Sequence, residues 1–170
     1  MATILELEKA GALFKYDAVL GRRQQEFRRL YASERLMRWM QTDLMAAGST
    51  WKIESTPAEQ LDAILNVFVS GEVLTFSDNF RPLRPIGEGV WEIKTADVRI
   101  FGWFPMLDCF VGVVADLAQR VKEIGLYAGY RGEVIRFRNK LDLDEPKFLP
   151  GELPDGIISN FDYPQSTRGW

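Results

Sequence analysis

The chain has 170 residues, a length that suits one domain, and its 46% hydrophobic and 12% aromatic residues are enough to build a core. It contains no histidine and one cysteine, which excludes imidazole catalysis and metal sites made from histidine or clustered cysteines. A net charge of −3 argues against a protein that binds nucleic acid with its whole surface. We therefore expect any catalysis to depend on arginine, lysine, tyrosine and carboxylates, without a metal or other cofactor.

The chain shows no targeting or membrane signal. No uncharged apolar run is long enough to span a membrane, and the N-terminus lacks the cationic and apolar regions of a signal peptide. We therefore expect a cytoplasmic protein without a membrane partner.

Charge is spread unevenly along the chain. Residues 1–80 carry a net charge of −2, residues 81–140 carry +3, and residues 141–170 carry −4. The central segment is therefore the basic part, and nucleic-acid binding would depend on a patch within it.

Two helices are predicted first. Apolar residues at three- and four-residue spacing predict a helix over residues 22–47, whose other face is rich in arginine. We interpret that face as solvated, with a phosphate-facing surface as the alternative. Thr56, Pro57 and Glu59 form the signature of a capped N-terminus, and Gly71 ends this second helix.

A run of strands follows. Alternating residues predict strands over residues 80–84, 90–94 and 98–104, with a turn at residues 86–89, and the apolar residues 109–114 predict a buried strand. We expect these segments to pair as an antiparallel meander of three to four strands.

The chain then returns to helix. Asp116 and Gln119 predict a capped short helix, residues 127–130 a loop, and residues 133–141 a C-terminal helix. Residues 142–170 are rich in proline, glycine and acids and predict an extended tail. The predicted class is α+β, with two N-terminal helices packed on the meander, a single domain over residues 1–141, and the acidic tail after it.

The strand sequences carry a family resemblance. The Pro82–Leu83 pair, GVWEIK at residues 89–94 and VRIFGWF at residues 98–104 resemble the sheet of the RelE/HigB/ParE toxin superfamily, in particular its phage-type HigB-like branch. The resemblance covers about residues 57–140 by order of elements. Family members have two N-terminal helices on an antiparallel sheet, and many cut messenger RNA on the ribosome. They are usually shorter and strongly basic, so this chain resembles a divergent and unusually acidic member.

The resemblance implies a set of site residues. In such an RNase the 2′-hydroxyl attacks the adjacent phosphate, cations stabilise the transition state, and an acid or base moves the protons. The implied catalytic residues are Arg99, Lys94, Glu92 and Tyr130. The implied RNA-binding residues are Arg81, Arg84, Trp103, Lys122 and Arg131. Arg99 matches the family's strand arginine, whereas Lys122, Tyr127, Tyr130 and Arg131 match by region only. The structural alternative for Arg99 is a cross-strand ion pair with Glu92.

The implied partners are messenger RNA on the ribosome and a small antitoxin protein. Two other functions remain open: a catalytically inactive protein-binding module of phage or prophage origin, and a ParE-like gyrase poison. The charge split adds a hypothesis about regulation, in which residues 142–164 cover the basic sheet and mask it within the same chain.

Overall fold

The computed structural model describes residues 1–85 and 87–165. Ile86 of the predicted turn and residues 166–170 of the predicted tail lie outside the described residues. In the described residues, helices pack on both faces of a six-stranded sheet, which confirms the α+β class.

The helices are α1 (Ile4–Lys9), α2 (Glu34–Gln41), α3 (Asp43–Ala46), α4 (Pro57–Ser70), α5 (Ala118–Ile124) and α6 (Tyr127–Lys140). The strands are β1 (Phe14–Lys15), β2 (Arg29–Ala32), β3 (Leu74–Thr75), β4 (Phe80–Pro82), β5 (Trp91–Lys94), β6 (Val98–Met106), β7 (Cys109–Leu117) and β8 (Phe161–Asp162). Within the described ranges, no helix has the length and apolar character needed to cross a membrane.

The main sheet has six strands in the order β1-β2-β7-β6-β5-β4. Strands β4 to β7 pair with their chain neighbours in antiparallel fashion, at the positions that the alternation predicts. The sheet is larger than the predicted meander, because β2 adds to β7 in parallel and β1 pairs antiparallel with β2. Its topology is therefore mixed.

Each face of the sheet builds its own part of the core. Alternate side chains such as Trp91, Ile93 and Ile100 point to one face, where they pack with Leu65 of α4 and Leu36 of α2. The opposite face carries Phe101, Trp103 and Val111, which pack against α1, α5 and α6. Helices α2 and α4 cover the first face, and the polar residues Glu92, Lys94 and Arg99 of β5 and β6 lie on the second.

The predicted helix over residues 22–47 is confirmed only in its second half, where α2 and α3 lie, and is wrong for residues 22–32. Residues 29–32 form β2, and Ser33 then caps α2 by accepting a hydrogen bond from the Leu36 amide at 3.1 Å. Leu30 and Tyr31 are fully buried, and β2 pairs with the central strand β7. A short apolar run such as residues 29–32 is compatible with a buried strand as well as with a helix. Here the pairing with β7 makes it a strand.

The later predictions are confirmed in part. Helix α4 has the predicted capping box at Thr56 and ends at Gly71 in the left-handed region. The predicted loop over residues 127–130 is wrong, because α6 already begins at Tyr127. The predicted tail is anchored in the core, since Ile157 and Ile158 are buried and β8 pairs in parallel with β3.

Candidate functional site

The strand register brings most of the predicted site residues onto the second face. Arg81 on β4 pairs with Glu92 on β5, which pairs with Phe101 on β6. Lys94 on β5 pairs with Arg99 on β6. Residues directly opposite each other on paired strands share a face, so these side chains come from three adjacent strands onto one surface.

Arg81 and Glu92 form an ion pair in which Nε of Arg81 donates to Oε1 of Glu92. Glu92 is fully buried, whereas the Arg81 side chain is 41% exposed. Arg81 also lies against Tyr127, with its Cζ 5.7 Å from the ring centroid and a terminal nitrogen donating to the hydroxyl at 3.4 Å. Glu92 therefore orients Arg81 from below and does not reach a ligand at the surface.

Glu92 retains an unusual feature. Its second oxygen, Oε2, is buried and has no hydrogen-bond partner within residues 1–85 and 87–165. A buried carboxylate oxygen without a donor is costly. The ion pair with Arg81 therefore stabilises the buried carboxylate, whereas Arg81 is also exposed to water and contacts Tyr127.

Lys94 lies among other cations. Its Nζ donates to the Ser77 carbonyl at 3.0 Å. Burial, followed by the positive charges of Arg81 and Arg99, lowers the pKa of Lys94, and Lys122 acts in the same direction. We call Arg81, Lys94, Arg99 and Lys122 the cationic cluster. A lysine whose pKa is lowered by neighbouring cations marks a place where positive charge is concentrated.

Arg99 is only 5% exposed, and its guanidinium faces backbone. One terminal nitrogen donates to the carbonyl of Thr95 and to that of Val98, the latter at 3.0 Å. The alternative of a cross-strand ion pair with Glu92 is wrong, because Glu92 pairs with Arg81. Arg99 contributes charge to the cluster from beneath the surface.

The structure contradicts the predicted base-stacking role of Trp103. Its side chain is fully buried, and the indole N–H donates to the Lys147 carbonyl at 2.9 Å. Its ring lies 6.1 Å from that of Phe137 on α6. The alternation of β6 places Trp103 on the predicted face, but the helix and the C-terminal segment cover it.

The remaining RNA-binding candidates come from different elements. Lys122, the member of the cluster on α5, is exposed, Arg84 is exposed beyond β4, and Arg131 is half-buried on α6. Arg84 and Arg81 both line a cavity of about 490 Å³, together with Ser77, Tyr127 and Glu152. This cavity, which we call the strand cavity, opens beside the cationic cluster. Glu152 comes from the predicted tail, so the tail does reach the basic surface.

Tyr130 lies apart from the cluster. Its hydroxyl donates to Oδ2 of Asp116 at 2.5 Å, and burial, together with that hydrogen bond, raises the pKa of Tyr130 to about 12. Phe101 packs against both tyrosines, with ring centroids 5.8 Å from Tyr127 and 5.4 Å from Tyr130. Tyr127 therefore takes the place at the cluster that the sequence assigned to Tyr130.

Sequence reasoning matched Tyr127 by region only, without assigning it a role, and missed Ser77 and Glu152. Tyr127 has a usable signal, since it lies one helical turn before Tyr130, but the residues between them read as a loop. Ser77 contributes a backbone carbonyl, which residue type does not reveal. Glu152 lies far along the chain from the strands that it approaches.

Two other kinds of chemistry have no geometric support in the described part of the chain. Burial raises the pKa of the Cys109 thiol to about 11, so this thiol is not an activated nucleophile. Among residues 1–85 and 87–165, no group of histidine, cysteine, aspartate or glutamate side chains has an arrangement that could hold a metal ion.

In comparisons with protein families, curated proteins and solved structures, no match to this chain was found.

Proposed function

We propose that the cationic cluster and the strand cavity bind the phosphate backbone of RNA, and that the protein is a divergent RelE/HigB-like toxin that cuts messenger RNA on the ribosome. The observation that carries the proposal is the strand register, which places Arg81, Lys94 and Arg99 on one face of three adjacent strands. Concentrated positive charge is favourable only when an anion arrives, and phosphate is the anion that RNA presents.

The arrangement of layers supports the family resemblance. Helices α2 and α4 pack on one face of the sheet, and the cations lie on the other. The family has two N-terminal helices on its sheet and uses strand cations against RNA. The RelE-like fold is part of this proposal and rests on the sequence resemblance.

The cluster also suits the chemistry of RNA cleavage. As the 2′-hydroxyl attacks the phosphate, charge develops on the equatorial oxygens, and the exposed part of Arg81 together with Lys94 would stabilise it. A lysine with a lowered pKa exchanges its proton more readily near neutral pH than an ordinary lysine does. Protonated Lys94 is therefore our candidate to donate a proton to the 5′-oxygen as the bond from phosphorus to that oxygen breaks, while the proton of the 2′-hydroxyl passes to water and Glu92 and Arg99 position the charges around the site.

A second function has its own support. Glu92, Arg99 and Trp103 are buried, so three of the residues that the resemblance assigns to RNA have little surface to offer. A catalytically inactive protein-binding module uses the same scaffold without needing those residues exposed. A ParE-like gyrase poison would likewise lack a nuclease step.

Induced expression in bacteria tests the proposal. We expect the wild type to arrest growth with messenger RNA cut inside reading frames, and Lys94→Ala to relieve both effects. Lys140→Ala is the matched control, because Lys140 is an exposed lysine at the end of α6. Arrest without RNA cleavage would favour gyrase poisoning. If the folded wild type causes no arrest, the protein-binding module becomes the better account.

A further inference from the structure

A second cleft lies at the end of β7, where Asp116 is opposite Arg99 of β6. It has a volume of about 570 Å³ and is formed by α2, the end of β7, and the start of α5 and α6. Three arginines line it, Arg35, Arg38 and Arg120, and so does Trp39, which is partly buried against the core of the first face. Apart from Tyr130, none of its lining residues belongs to the predicted site.

Arg120 is held in place by a nearly buried carboxylate. Oδ2 of Asp116 accepts hydrogen bonds from Nε of Arg120 at 3.0 Å and from the Tyr130 hydroxyl at 2.5 Å, and Oδ1 accepts from the Leu117 amide at 2.8 Å. All three bonds fix the carboxylate, which in turn orients the guanidinium. Within the described ranges, no hydrogen bond occupies the terminal nitrogens of Arg120, so they are available to a ligand.

The other two arginines have partners that are easily exchanged. Arg35 pairs with Glu133 at 2.6 Å and Arg38 with Glu34 at 2.9 Å, and the two arginine side chains are 62% and 69% exposed. Exposed ion pairs contribute little net stability, since water and salt screen them. A doubly charged phosphate can therefore compete with these carboxylates, particularly because each guanidinium has further N–H groups.

We propose that this cleft binds a nucleoside phosphate, with the phosphate between Arg38 and Arg120 and the base against Trp39. The three arginines outnumber the two lining carboxylates, Asp43 and Asp116. Asp116 is already occupied by its donors, whereas Asp43 offers an acceptor for an amino group of the base or a ribose hydroxyl. Trp39 supplies the planar apolar surface that stacking on a base requires.

A free nucleotide and the phosphorylated end of an RNA chain would both present a phosphate and a base to this cleft. This inference does not rest on the proposed function, because it uses a different cleft and needs no cleavage. The cationic cluster can bind an RNA backbone whether or not this cleft binds a nucleotide.

Calorimetric titration of the full chain with adenosine 5′-monophosphate tests the inference, with adenosine and inorganic phosphate as comparison ligands. We expect the monophosphate to bind more tightly than either. Arg38→Ala and Arg120→Ala should each weaken that binding about tenfold, the effect of losing one charged hydrogen bond. Arg23→Ala, at an exposed arginine outside the cleft, should leave binding unchanged.

A 5′-phosphorylated trinucleotide separates the two sources. Stronger binding of the trinucleotide than of the mononucleotide identifies an RNA end, and equal binding identifies a free nucleotide. The inference is overturned if phosphate alone binds as well as the mononucleotide, if neither nucleotide ligand binds at millimolar concentration, or if Arg23→Ala weakens binding as much as the cleft variants. Circular dichroism of each variant shows whether the fold is retained.

Discussion

Nε of Arg28 lies 3.5 Å from Oδ1 of Asp108, and the arginine side chain is fully buried. Asp108 also accepts a hydrogen bond from the Ser159 amide at 2.8 Å. The terminal nitrogens of Arg28 donate to the carbonyls of Phe68 at 2.9 Å and of Ser159 at 2.7 Å. One buried guanidinium thus joins the end of α4, the β6–β7 turn and the C-terminal segment.

Replacing Arg28 by alanine should therefore destabilise the whole domain. The change leaves several buried carbonyls without donors and Asp108 without its cation, and breaking a buried pair in this way costs about 3–5 kcal/mol. Urea unfolding followed by fluorescence measures the loss. Arg23→Ala, at an exposed arginine five residues before Arg28, is the control and should change the free energy of unfolding little. A loss of similar size in both variants would contradict the role of Arg28.

Replacing Trp103 by phenylalanine should lower stability without changing RNA affinity. The variant keeps a ring in the core but leaves the Lys147 carbonyl without the indole N–H that it accepts, at a cost of about 1–3 kcal/mol. Unfolding and fluorescence anisotropy with a labelled single-stranded RNA measure the two properties separately. Reduced affinity in a folded variant would show instead that Trp103 reaches the ligand.

RNA binding should weaken as the pH rises, and this loss should begin at a lower pH than it would for a lysine with an ordinary pKa. Lys94 attracts phosphate only when protonated, and burial and the neighbouring arginines lower its pKa from the usual 10.5. The charge is therefore present below the lowered pKa and is lost as the pH rises through it. Anisotropy measured across the alkaline range checks this dependence.

Lys94→Arg is the informative comparison for that pH dependence. An arginine keeps its charge throughout the range, so the variant should bind RNA with a flatter pH profile. If wild type and variant lose affinity in parallel, another group causes the dependence.

Glu152→Gln should increase RNA affinity about two- to threefold, the effect of removing one exposed carboxylate from the wall of a basic cavity. A point variant is a better test of masking than deletion of residues 142–164, because Ile157 and Ile158 belong to the core and their removal would destabilise the fold. Asp155→Asn, at an exposed acidic residue of the same segment, controls for net charge. Equal gains in both variants would show that net charge, and not the position of Glu152, limits RNA affinity. No gain from Glu152→Gln would contradict the masking hypothesis.

Local patterns were sufficient for several elements of this protein. The alternation along β5 and β6 determined that Glu92, Lys94, Arg99 and Phe101 share one face, because successive side chains of a strand point to opposite sides. The signature at Thr56 likewise determined where α4 begins, since capping depends on residues three apart in the chain. These features need only near neighbours, which the sequence displays directly.

Tertiary structure decided which of those residues meet a ligand. Residues 29–32 became a strand because β7, far along the chain, offers them hydrogen bonds and burial. Glu92 pairs with Arg81 because the register of β4 and β5 places these two residues directly opposite each other, whereas Arg99 lies opposite Lys94. Trp103 is covered by a segment 44 residues later in the chain. Periodicity fixes the face on which a side chain lies, but its exposure depends on what distant segments place over that face.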